Sequence, residues 1–171
     1  MARLDHIAVS AQTLDQGEAW LSGMLGVPLE PGGRHPHMST WNRLLSLGPD
    51  EYLEVIATDP GAPKPLHPRW FRLDGFSGPP RLTNWIVRTD DLPAALALAP
   101  VGAGHPVDLA RGAYRWRFGV PPDGRLPFDD SFPALIEWQG TAHPARALPD
   151  RGVRLSALEI FHPEASALAR A

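Results

Sequence analysis

Cysteine is absent from the 171 residues. That excludes disulfides, thiolate metal ligands and a cysteine nucleophile, and it fits a reducing cytoplasm, the expected location. Long basic runs are missing too. The 16 basic residues are outweighed by 19 acidic ones, for a net charge of −3, so a nucleic-acid partner is not expected. No apolar stretch approaches the roughly 20 residues that cross a bilayer, and no membrane association is expected. The first residues lack a basic region followed by an apolar run, so no secretory leader is expected. No glycine-rich phosphate loop occurs, and no serine stands in a nucleophile-elbow context. "GRHPH" does not match a helical pair of metal-binding histidines.

Proline and glycine are abundant, at 20 and 16 residues. Most fall between periodic segments, which predicts a loop-rich fold of short elements. The hydrophobic fraction of 43% is enough for a real core. The periodic segments occur twice. "RLDHIAVSAQTLDQGEAWL" from Arg3 lies over "RLTNWIVRTDDLPAALALA" from Arg81 with a displacement of 78, matching Leu4 to Leu82, Val9 to Val87 and Leu14 to Leu92.

The first copy, residues 1–58, reads as strand, helix and three strands. Leu4–Ser10 alternates, with Leu4, His6, Ala8 and Ser10 on one face and Asp5, Ile7 and Val9 on the other. Leu14–Leu25 has helical spacing and stops at Gly26. A short strand is expected near Val27–Glu30, then a loop over "PLEPGGRHPH", then strands over "TWNRLLSLG" and "EYLEVIAT". Residues 59–80 form a proline-rich connection, with a short helix expected at Pro68–Leu73. The second copy, 81–142, has strands over "LTNWIVRT", "AYRWRFGV" and "FPALIEWQG" and a helix over "DDLPAALALA". By its last strand the displacement has grown to 83, placing Glu137 on Glu54, and the added length falls in a loop around "VPPDGRLPFDDS". Residues 143–171 begin a third repeat, with a strand at Leu155–Phe161 and a short helix.

Glu54 and Glu137 occupy matching places inside apolar strands. A carboxylate there needs a metal, an arginine or a solvent-filled cleft to offset its desolvation. Periodicity does not choose between these, nor between a ligand role for His6 and a simple pairing with Asp5 or Arg3. Arg88 shares a face with Asn84. It can pair Glu54 or Glu137, bridge to Asp90 or Asp91, or clamp a carboxylate or phosphate with its planar fork. "GGRHPHMSTWN" sets His35, His37 and Asn42 around a glycine turn, where His37 or Asn42 could touch a ligand. Most of Trp41, Tyr52, Trp85, Trp116 and Trp138 belong to core, with one or two left for an apolar pocket.

Together, "LDHIAV", "PGGRHPHMSTWNRLLSLG", "YLEVIA", "WIVRTDDL" and "PALIEW" make a chain that resembles the glyoxalase-like proteins of the vicinal oxygen chelate superfamily. The resemblance implies an α+β fold of tandem βαβββ modules pairing into a curved, open mixed sheet around a central cleft. It implies a divalent metal (Zn, Ni, Mn, Co or Fe) at His6, Glu54 and Glu137. Asn84 stands at the fourth position, where well-formed sites carry histidine or glutamine. Glu54 or Glu137 would serve as catalytic base. The implied activity is that of a metal-dependent isomerase or lyase acting on a substrate with adjacent oxygens, ahead of a dioxygenase. The alternative is a metal-free binding protein of the bleomycin-resistance kind. In either case His37, Asn42, Asn84, Trp85 and Arg88 are expected to line the ligand cleft. The partner is a small molecule, and a homodimer is possible because relatives exchange modules between chains.

Overall fold

The computed structural model describes residues 2–171. Its strands are β1 (Arg3–Ser10), β2 (Glu30–His35), β3 (Thr40–Ser46), β4 (Tyr52–Thr58), β5 (Arg81–Arg88), β6 (His105–Arg111), β7 (Tyr114–Val120) and β8 (Ala134–Trp138). They form one mixed sheet in the order β2-β3-β4-β1-β5-β8-β7-β6, curled into a half-barrel. The two halves repeat one plan. In each, the first strand runs parallel to the last, β1 with β4 and β5 with β8. The halves join through the antiparallel pair β1–β5. The fold is therefore an α+β arrangement of βαβββ units.

Helix α1 (Leu14–Leu25) begins where Thr13 accepts a hydrogen bond from the Gln16 amide, and it ends at Gly26, which takes the left-handed conformation at φ 70°. Helix α2 (Leu92–Leu98) begins at Asp91, whose carboxylate accepts from the Ala94 amide. α1 packs on β3 and β4, and α2 on β6, β7 and β8. Strand alternation then creates two cores. Ile7, Val9, Leu45, Leu53 and Val55 meet Leu14 and Leu21 on the convex, helix-bearing side. Ala8, Ile56, Ile86, Trp116, Phe118 and Ile136 face the concave side.

The connection between the halves closes that concave side. A 3-10 turn at Trp70–Gly75 sends Trp70, Phe71 and Leu73 into the concave core. Arg69 fastens it by donating to the carbonyls of Met38 and Ser39. Phe71 and Arg72 take the left-handed region at φ 56° and 52°, a conformation that packing of the buried aromatics must hold in place. The short helix expected at Pro68–Leu73 is thus a 3-10 helix displaced to Trp70–Gly75 and broken at Phe71 and Arg72.

Three further expectations are corrected. β2 runs at Glu30–His35, through the breaker-rich segment read as loop. β6 was not anticipated. The strand expected at Leu155–Phe161 does not form: the segment is irregular backbone, from which Val153, Leu155 and Leu158 pack on the convex core, and a short helix, α4 (Ala165–Leu168), follows. Another short helix, α3 (Pro144–Ala147), follows β8. Among the described residues no helix is long and apolar enough to cross a membrane.

Candidate functional site

The register of β1 decides what enters the concave face. Against β5, the pairing shifts between Leu4 and His6, because Leu4 opposes Val87 and His6 opposes Ile86. Asp5 is the extra residue of a β-bulge. A bulge lets two consecutive side chains leave on one side, and Asp5 accordingly joins His6 rather than Ile7 and Val9. Its carboxylate is fully buried and accepts from three donors: His6 Nδ1 at 2.7 Å, His143 Nε2 at 2.9 Å and Trp138 Nε1 at 3.0 Å.

His6 stacks on Tyr52 with ring centroids 4.4 Å apart, and its Nε2 faces Glu54 Oε2 at 3.6 Å. Burial alone would push the imidazole toward neutrality. The hydrogen bond to Asp5 and the adjacent Glu54 carboxylate outweigh it and raise the pKa to about 9. Burial likewise favours protonated Glu54, but His6 and the Asn42 amide hold its pKa down at about 2. Asp5 is held well below the usual carboxylate range, with burial overcome by His143 and His6. At neutral pH the centre is an Asp5–His6–Glu54 array of alternating charge.

The array continues across the first half. Asn42 Nδ2 donates to Glu54 Oε1 at 2.5 Å, while Asn42 Oδ1 accepts from the Gly33 amide at 2.8 Å and from Arg111 at 3.1 Å. Arg111 also donates to His35 Nε2 at 3.1 Å, so His35 carries its proton on Nδ1 and donates to Thr40 Oγ1 at 3.0 Å. Burial, reinforced by Arg111, lowers the His35 pKa to about 4 and keeps that ring neutral. The glycines of "PGGRH" make this approach possible. A Cβ on Gly32 would lie 2.0 Å from Asn42 Oδ1, and one on Gly33 would lie 2.4 Å from Arg111 Cδ.

His6, His35, Asn42, Tyr52, Glu54 and Arg111 surround a cavity of about 30 Å³ walled by Trp70, Trp116 and Trp138. That is room for one or two waters. Phe71 separates it from a recess of about 540 Å³ floored by Asn84, with Arg72, Arg81 and Arg125 among its walls. Asn84 is only 3% exposed, and its Nδ2 has no hydrogen-bond partner.

Of the anticipated residues, His6, Asn42 and Glu54 therefore meet, and Asn84 shares their face but opens on the neighbouring recess. Glu137 does not join them. Ile136 and Trp138 take the concave positions of β8, which turns Glu137 to the convex side. There it accepts from the Leu92 amide at 2.8 Å, at the start of α2, and from Gln139 at 2.5 Å. Trp85 is also convex, donating to the Ser131 carbonyl at 2.9 Å. His37 is exposed and stacks on His67 with centroids 4.6 Å apart. Arg88 is buried beside His143 and Asp5. Asp5, Arg111 and His143 were missed as site residues. Only the buried-side "LDHIAV" strand hinted at the first, since a bulge leaves no mark in the sequence.

The donor set does not fit a divalent cation. Glu137, one of the three anticipated ligands, lies on the opposite face of the sheet, which leaves only His6 and Glu54 facing each other, at 3.6 Å. Among the described residues no group of three or more histidine, aspartate or glutamate side chains is placed to hold a metal.

Residues 4–171 match a family described as glyoxalase-like domain. No curated protein matches the chain in sequence. Among solved structures, a hypothetical protein from Staphylococcus aureus is similar at TM-score 0.56 and 17% identity, covering 82% of this chain and 60% of that one. The chain thus spans about three fifths of that protein's length. A hypothetical protein from Bacillus halodurans is similar at TM-score 0.53 and 13% identity, covering 83% and 96%. A methylmalonyl-CoA epimerase from Streptomyces coelicolor, in complex with 2-nitronate-propionyl-CoA, is similar at TM-score 0.50 and 15% identity, covering 82% and 96%. At such identities the likeness is one of fold.

Proposed function

We propose a function from the premise that the chain belongs to the glyoxalase-like family of the vicinal oxygen chelate superfamily: it binds a small polar organic molecule on the concave face without a resident divalent metal. The observation that carries this reading is the Asn84 amide, a buried donor with no protein acceptor at the floor of a recess of about 540 Å³. Recesses of roughly 300–1,000 Å³ suit drug-sized ligands, and a buried unpaired donor is costly unless a ligand atom accepts from it. Arg125, which makes no side-chain hydrogen bond or ion pair among the described residues, supplies a cation at the wall. A ligand carrying a carbonyl or carboxylate acceptor matches both groups.

The metal-dependent isomerase or lyase implied by the resemblance needs His6, Glu54 and Glu137 around one ion. Against that reading, Glu137 lies on the other face of the sheet, while His6 and Glu54 face each other at 3.6 Å. Metal analysis by mass spectrometry after incubation with Zn, Mn, Ni and Fe(II) tests the point, with His6→Ala and Glu137→Ala beside the wild type. The expected result is substoichiometric metal in all three. A thermal-shift screen of small oxo-acids and polyols then compares wild type with Asn84→Leu, and hits are expected to be lost in the variant. Stoichiometric metal that disappears in both variants would overturn the proposal, as would hits indifferent to Asn84.

A further inference from the structure

The far end of β5 holds a buried arginine whose two ion pairs, to Asp5 and Asp50, are both too long for a hydrogen bond. Arg88 is 8% exposed. Its Nη1 lies 3.4 Å from His143 Nε2, but the tautomer of that ring forbids a hydrogen bond between them. His143 Nδ1 accepts from the Ala145 amide at the start of α3, so Nε2 carries the hydrogen, which it gives to Asp5 Oδ1 at 2.9 Å. Two donors face each other across the 3.4 Å. The nearest carboxylate oxygens, on Asp5 and Asp50, are both 3.8 Å away, beyond hydrogen-bond reach, and Nε has no partner. Asp5 already accepts from three nearer donors, two of them on the oxygen that faces Arg88. Asp50 is half exposed and stands equally far, at 3.8 Å, from Arg146.

Arg88 opens on a recess of about 380 Å³, separate from the one at Asn84, with Arg3 and Arg146 also in its walls. Two acids border it as well. Glu137 is occupied by the Leu92 amide and Gln139, and Asp90 has its own interaction. A buried guanidinium is stable when its planar fork meets an oxyanion, and costly when it does not. We infer that this recess binds an oxyanion, the carboxylate or phosphate group of a small molecule, held by Arg88 at its base and by Arg3 and Arg146 at its rim. The inference stands independently of the Asn84 recess.

Inorganic phosphate and acetate are the probes, titrated separately at constant ionic strength against chloride, with calorimetry and melting temperature as readouts. The wild type is expected to bind at least one of them saturably. Preference for phosphate identifies a tetrahedral head group, and preference for acetate a planar one. Arg88→Gln is expected to weaken binding by about tenfold or more, and Arg146→Gln by a few-fold. Arg154→Gln, which removes an exposed partner of Asp150, is expected to bind as the wild type does. If Arg88→Gln does not fold, the rim variant Arg146→Gln decides. An anion response no greater than that of chloride, or one equal in wild type and both recess variants, overturns the inference.

Discussion

Raising the pH from 6.5 to above 9 should destabilise this protein through one histidine. The folded-state pKa of His6 is about 9 against an ordinary value of 6.5, so the folded chain holds a proton there that the unfolded chain releases. The stabilisation is complete below pH 6.5 and is lost as the pH climbs through 9. The difference corresponds to about 3 kcal/mol, since each pKa unit is worth about 1.4 kcal/mol. In a chain of this length that is a fall of roughly 6–12 °C in melting temperature. Urea midpoints and melting temperatures taken in half-unit steps from pH 6 to 10 measure it. His6→Gln should lower stability at pH 6.5 and abolish the alkaline slope. A wild type flat across that window, or a variant that keeps the slope, would refute the picture of a buried imidazolium between two carboxylates. On the acid side the sign reverses. His35 is depressed to about 4, and Glu54 to about 2 from 4.5, so stability is lost between pH 6.5 and 4 by the first and between 4.5 and 2 by the second. The maximum should fall close to pH 6.5.

Three further outcomes follow from the packing. Glu137→Ala should cost about 1–2 kcal/mol in urea denaturation, because the first amide of α2 loses its acceptor. Trp70→Ala should cost about 3–5 kcal/mol by the same assay, as a buried aromatic plug in the concave core. Gly124→Ala should disrupt the seating of the connection, since its Cβ would lie 2.3 Å from the Arg69 carbonyl at a φ of +74°; increased proteolysis within 59–80 reports it.

The repeat was legible because β1 and β5, α1 and α2, and β4 and β8 bury apolar faces with clear periods. The two strands misread are the two edges of the sheet. β6 buries only Leu109 and tolerates Pro106, and β2 is written "EPGGRH", with a register shift between Pro31 and Arg34. Edge strands need neither an apolar period nor a full hydrogen-bond ladder, so they leave weak marks. The site divides in the same way. His6 and Glu54 stood at legible strand positions. Asp5 was assigned to the wrong face because one inserted residue shifts parity. Glu137 was placed by repeat alignment, which fixes a position along β8 but not which of two adjacent residues faces inward. His143, from beyond the second copy, reaches Asp5 only through tertiary folding.

β1 precedes every other strand of the sheet along the chain, yet it lies at the sheet's centre. β1 finds its neighbours only at residues 52–56 and 81–88, so it must wait, its Ile7 and Val9 face uncovered, while most of the first half and then the connection emerge. The seam between the halves is thus a late, long-range event. Folding should be slow for a chain of this size, and a pause in translation before residue 88 leaves the aggregation-prone strand without its partner.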